Sequence, residues 1–226
     1  MKKNLPILIV ISLVFFSCGQ VSKSTPDILS KDKETPKTAD ITENQKSKAI
    51  SNDKFIDTKY VYADVNGKQI IIENSLPKGG LKYSDPTGEE YVYAVFWTRI
   101  SNETDNSFEL MMDFPTDSYE LPSSPGRYFK VLIPSDTMTL DKEPLFNYGV
   151  DLEFFLNNNL HKPSSLQRTI IPKASNSFYV VVLFNNRVDG VLRTGLSINK
   201  QKLFYRINDK EIHCGKINLK KLKLRK

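Results

Sequence analysis

The sequence predicts an all-β domain: a two-sheet antiparallel β-sandwich, immunoglobulin-like or a related Greek key, with one short helix. Three observations carry that expectation. Beyond residue 55 short runs rich in Val, Ile, Tyr and Phe recur, Gly, Pro, Asn and Asp punctuate them, and helical periodicity is almost absent. About ten such runs over roughly 165 residues match a sandwich. A body of that size buries roughly 70% of its unfolded surface and needs no disulfide.

The elements follow in order. KYVYADV-NG-KQIIIEN reads as a hairpin, with Asn66-Gly67 supplying the positive φ angles of a two-residue turn. EEYVYAVFWTRI and SFELMMDF read as a second pair joined by SNETDN. Alternation puts Val92, Ala94, Phe96, Thr98 and Ile100 on one face of the first run, and Phe108, Leu110, Met112 and Phe114 on one face of the second. Those rows are expected to meet in the core. RYFKVLI, LQRTII, FYVVVLF, VLRTGLSI, KLFYRI and EIHCGKINL read as later strands, separated by turn formers such as Asn185-Asn186 and Asn208-Asp209-Lys210. VDLEFFLNNNL, with Leu152, Phe155, Leu156 and Leu160 at helical spacing, is expected to be a short helix covering an open end of the sheets.

The chain before this body has a different character. Met1-Lys2-Lys3-Asn4 and then LPILIVISLVFF form a positive start and a twelve-residue apolar run, too short for a hydrocarbon core that needs roughly 20 residues. Charged start, short apolar run and the small residue Ser17 occur in the order of an export signal over residues 1–17. Gly19 to about Asp53 is rich in Ser, Thr, Lys, Asp and Pro, with apolar residues only singly, a composition that cannot offset chain entropy. Residues 18–54 are therefore expected to be a flexible tether spanning about 30 to 35 Å, residues 55–219 the sandwich, and residues 220–226 a basic tail.

The formal charge of +6 does not imply nucleic acid once it is divided along the chain. Ile56 to Gly215 holds 17 Lys or Arg against 20 Asp or Glu, whereas the last eleven residues hold six bases and no acid. The basicity belongs to the tail, a solvated charge run, and a basic body that would read nucleic acid is missing.

Phe15-Phe16-Ser17-Cys18 stands where a lipobox would, and the start of the chain resembles a bacterial lipoprotein precursor. Ser17 and Cys18 fit that pattern, while Phe15 and Phe16 depart from its aliphatic and small positions. The resemblance implies lipid on the Cys18 thiol, cleavage by signal peptidase II before Cys18, and a membrane partner reached through that lipid. With no aspartate directly after Cys18, it also implies the outer membrane, facing either periplasm or cell surface. Cys214 is then left without a disulfide partner.

Catalytic signatures are sparse. No glycine frames a nucleophile elbow, a phosphate loop or a dinucleotide fingerprint, and no His-Glu-x-x-His or Cys-x-x-Cys occurs. No cofactor or metal is implied. His213 and Cys214 are strand neighbours pointing to opposite faces, which suits a buried thiol and an exposed imidazole better than a joint site. The carboxylates Glu89-Glu90, Asp113 with Asp117, and Asp151 with Glu153 are explained by turn and cap chemistry, although paired acids can also hydrolyse glycosides.

The candidate binding residues are Tyr91, Tyr93, Trp97 and Arg99, which alternate with Val95 on the face opposite Phe96. Exposed, that row is a platform for a sugar, a peptide or a partner. Covered, it belongs to a central strand buried on both faces, with tyrosine hydroxyls at the rim. The functional expectation is a non-catalytic envelope lipoprotein that binds or supports another envelope component, a protein or a glycan. The alternatives are an envelope hydrolase acting on glycan or polymer and a purely structural assembly lipoprotein.

Overall fold

The computed structural model describes residues 53–219 and Leu224. The signal, Cys18, the tether up to residue 52 and most of the tail lie outside those residues. Twelve strands occur among them: β1 (Ile56–Ala63), β2 (Gln69–Ser75), β3 (Lys78–Ser84), β4 (Glu90–Asn102), β5 (Phe108–Phe114), β6 (Tyr119–Glu120), β7 (Tyr128–Leu132), β8 (Ser164–Ile170), β9 (Ser175–Phe184), β10 (Thr194–Asn199), β11 (Lys202–Ile207) and β12 (Lys210–Asn218). One α-helix, α1 (Leu152–Asn159), and three short 3-10 turns accompany them. The first sheet runs β1-β2-β4-β9-β7-β6, with β3 also on β4, and the second runs β10-β11-β12-β5-β8. Every pairing is antiparallel, giving the expected all-β sandwich.

The two alternating rows meet between the sheets. Ala94, Phe96 and Ile100 of β4 share one buried cluster with Phe108, Leu110, Met112 and Phe114 of β5. They do not belong to a hairpin, however: β4 pairs with β2, β3 and β9, whereas β5 pairs with β12 and β8. SNETDN is a crossover between sheets. Its turn is built by Asn102, whose amide donates to the carbonyls of Asn106 and Ile170 and whose Oδ1 accepts the backbone N–H and hydroxyl of Thr104. Buried side-chain bonds of this kind compete with strand pairing and redirect the chain.

The first hairpin is also wider than expected. β1 and β2 pair up to Ala63 opposite Gln69, and only Gly67, at φ 80°, takes a positive φ in the turn. The Asp64 carboxylate accepts the backbone N–H groups of Asn66 and Lys68, and that local chemistry replaces the two-residue geometry. Leu224, from the stretch expected to be a solvated tail, bridges to Asp64 and packs against the core. β3 was not foreseen, because Gly79-Gly80 interrupts its pattern.

The sheets are stitched at an edge. β10 ends the second sheet, and its open side faces β2 of the first. The Asn74 side chain accepts from the Leu196 N–H at 2.9 Å and donates to the Leu196 carbonyl at 3.4 Å, imitating a strand residue. Its Oδ1 also takes the Thr98 hydroxyl at 2.9 Å, and Tyr62 accepts the Ile198 N–H at 2.7 Å. An edge that would otherwise template pairing is thereby closed.

A second core lies on the outer face of the first sheet. Val95, Trp97, Tyr179, Val181 and Leu183 pack beneath Met138, Tyr148, Val150, Leu152, Leu156 and Leu160. The segment between β7 and β8 is therefore a cover. Helix α1 contributes its buried face, Leu152, Leu156 and Leu160, to this sheet face and not to an open end of the sandwich. Asp151 caps it, accepting the Phe154 N–H, which is the cap role expected of that carboxylate.

Candidate functional site

The row Tyr91, Tyr93, Val95, Trp97 and Arg99 does not form an exposed platform. Trp97 is 1% exposed and meets the Tyr148 ring edge-on at 6.5 Å between centroids. Arg99, 8% exposed, spends Nε and a terminal nitrogen on Glu73 at 2.8 and 2.5 Å. Glu73 is also 3.3 Å from Lys59, so both charges of the buried pair are compensated. The two tyrosines, at 5% and 7% exposed, lie at the boundary of the cover, and each lines a different cleft.

The larger cleft, about 470 Å³, opens where the cover meets β3. Tyr83 and Tyr93 come from the sheet, and Phe146, Asn147, Asp151 and Glu153 come from the cover. Its shape depends on an unusual turn. Asn147 and Tyr148 both take left-handed backbone angles, at φ 47° and 55°, and Gly149 continues at 73°. Such a conformation costs roughly 1–2 kcal/mol per non-glycine residue.

Burial of Tyr148 offsets that cost. Its ring is fully enclosed, its hydroxyl donates to the Leu76 carbonyl at 2.7 Å, and its own carbonyl accepts from the Tyr179 hydroxyl at 2.8 Å. Enclosing a ring of that size contributes about 1.5–3 kcal/mol before the hydrogen bonds are counted. Lys78 completes the arrangement. Its ammonium lies 4.2 Å from the Tyr148 ring centroid and donates to the carbonyls of Glu143 and Leu145 at 2.5 and 2.6 Å. Burial pushes the Lys78 pKa down from the usual lysine value, and the Glu143 carboxylate opposes that shift.

The outcome is that Phe146 is turned outward. It is 70% exposed, with exposed Leu145 before it and exposed Phe154 on α1. Next to it Asn147 is 3% exposed; one end of its amide donates to the Tyr93 hydroxyl at 3.2 Å, while its Oδ1 has no partner among the described residues. Gly79 allows β3 to approach closely. A Cβ there would sit 2.8 Å from the Tyr93 ring and 2.9 Å from the Tyr93 carbonyl oxygen, and its φ of 108° suits glycine.

The smaller cleft, about 160 Å³, is lined by Glu89, Tyr91, Tyr128, Lys130, His161 and others. Behind it, Asp85 Oδ1 accepts the Thr87 N–H, the Thr87 hydroxyl and the Glu89 N–H, and its Oδ2 lies 3.7 Å from His161 Nε2. The Thr87 hydroxyl leads in holding the Asp85 pKa below the usual carboxylate value. Burial, then a hydrogen bond to Glu89, pushes the Tyr91 hydroxyl upward. His161 lies in NNNLHKPSS just after α1, and nothing local to that stretch places it beside Asp85.

Cys214 is buried and unpaired with another cysteine, and burial raises its thiol to about 12. His213 is exposed, its ring 5.4 Å from that of Phe204. Among the described residues no group of three or more His, Cys, Asp or Glu is placed to hold a metal ion. Phe146 and Asn147 were missed from sequence. Their one signal is Asn147-Tyr148-Gly149, in which Asn and Gly are the residues most tolerant of left-handed angles. No protein-family model matches the chain, and neither a curated protein nor a solved structure matches it.

Proposed function

We propose that this protein is an exported bacterial envelope lipoprotein, anchored through lipid on Cys18, whose sandwich captures another envelope component in the cleft beside β3 without transforming it. The observation that carries the binding reading is Phe146, held in solvent by a strained turn next to a buried amide with an unspent end. Strain of this kind persists only where surrounding packing over-determines it, and it clusters at ligand sites. A non-catalytic role is supported by the lining: Asp151 is committed to its cap and Lys82 is paired with Glu90 at 2.7 Å. The anchor rests on the order of charge, apolar run, Ser17 and Cys18.

Two measurements test this reading. Labelled fatty acid should enter the protein and vanish from Cys18→Ala; undiminished labelling removes the anchor. Crosslinking of the full chain in envelopes should capture a component that Phe146→Ala releases, and identical capture by both forms removes the cleft. A hydrolytic reading is favoured by one specific observation, the meeting of His161 and Glu89 at the smaller cleft, with Asp85 behind His161. It requires turnover of an envelope glycan that Glu89→Gln and His161→Gln each abolish.

A further inference from the structure

Deepening that reading of the larger cleft, on which it rests, we infer that the component held there is a neutral saccharide. The polar lining is rich in acceptors. Asn147 brings a buried, unpartnered amide oxygen to the wall, Glu153 adds a carboxylate, and Asp151 adds the carboxylate oxygen that its cap bond leaves over. Two of the lining donors are engaged: Tyr83 donates to Asn157 Oδ1 at 2.7 Å, and the Lys82 ammonium pairs with Glu90. Such a lining suits a ligand that presents several O–H donors, and two carboxylates facing one already paired lysine oppose an acidic one.

The apolar lining supplies the remaining half of the match. Phe146, Tyr83 and Tyr93 set aromatic carbon beside these acceptors, and a pyranose ring offers C–H surface and hydroxyl edges together. A peptide added as a further strand would have to use β3, the cleft's own strand, which among the described residues pairs only with β4. That edge is guarded. A register shift between Gly79 and Leu81, positive φ at both Gly79 and Gly80, and the flanking Lys78 and Lys82 are devices that block strand addition.

The test uses the full chain in detergent over immobilised neutral hexose, N-acetylhexosamine and uronic-acid oligosaccharides of equal length. The expected result is retention on a neutral ligand, weakened about tenfold by Phe146→Ala and also by Asn147→Gly, which keeps the backbone angle free. Both variants are compared by urea midpoint, and the exposed Phe146 should leave it unchanged. Retention on uronic acids equal to that on neutral chains overturns the inference, as does saccharide retention indifferent to Phe146. If no saccharide is retained but envelope crosslinking captures a protein in a Phe146-dependent way, the saccharide falls and the cleft reading stands. Capture unaffected by Phe146→Ala overturns both.

Discussion

Replacing Asn74 with alanine should be among the most destabilising single changes in the sandwich. The amide satisfies both backbone groups of Leu196 and the Thr98 hydroxyl, all in buried surroundings. Truncation leaves the Leu196 N–H and the Thr98 hydroxyl as orphaned donors, each costing about 1–3 kcal/mol, so a loss of about 3–5 kcal/mol is expected in total. Domains of this class are stable by roughly 5–15 kcal/mol, so the change consumes a large share. Urea unfolding followed by the fluorescence of Trp97, the only tryptophan, measures it directly. Thr98→Val removes one bond from the same network and should cost about 1 kcal/mol. Because the two side chains share a bond, the double variant should lose less than the sum of the singles. A loss below about 1 kcal/mol for Asn74→Ala, or strict additivity, would refute the idea that one side chain closes the seam.

Trp97→Ala should cost about 3–5 kcal/mol in the same assay, as for any large enclosed ring; a near-neutral result would mean that the outer face of the first sheet is not sealed. Asp85 has a folded pKa below its usual 3.8, so its stabilisation is complete well above that value and is lost as pH falls through the folded pKa. The stability gap between the protein and Asp85→Asn should therefore shrink on acidification below about pH 4, and a gap constant with pH contradicts that assignment. Burial raises Tyr179 and Cys214 to about 12 and Tyr91 and Tyr205 further, so the folded state holds protons that the unfolded chain releases. Stability should fall as pH climbs above 9 to 10, with phenolate absorbance appearing together with unfolding, and titration of these groups in a still-folded protein would count against their burial.

Much of the sandwich was legible because a half-buried strand writes its face into every second residue. The alternation of Ala94, Phe96 and Ile100 and of Phe108, Leu110 and Met112 announced the inner core correctly. The partner of a strand is another matter. Sequence proximity paired β4 with β5 across SNETDN, while the buried bonding of Asn102 and Thr104 sends the chain to the opposite sheet, and nothing in a single sequence distinguishes an exposed turn from such a crossover. The row from Tyr91 to Arg99 was readable as a bulky second face, but not as covered, because the cover between β7 and β8 has no period of its own apart from α1. Phe146 was legible only as another aromatic; its exposure depends on Lys78 and Tyr148, contributed from elsewhere in the chain and brought together by folding.

The first sheet separates two hydrophobic clusters, and this has a kinetic meaning. The contacts beneath the cover form a cluster separate from that between the sheets, so two thresholds of opening are expected. Amides of residues 133–163 should exchange with deuterium through a smaller excursion than those of β4 and β9, which answer to both clusters at once. The inner sandwich is then expected to hold while the cover opens and recloses.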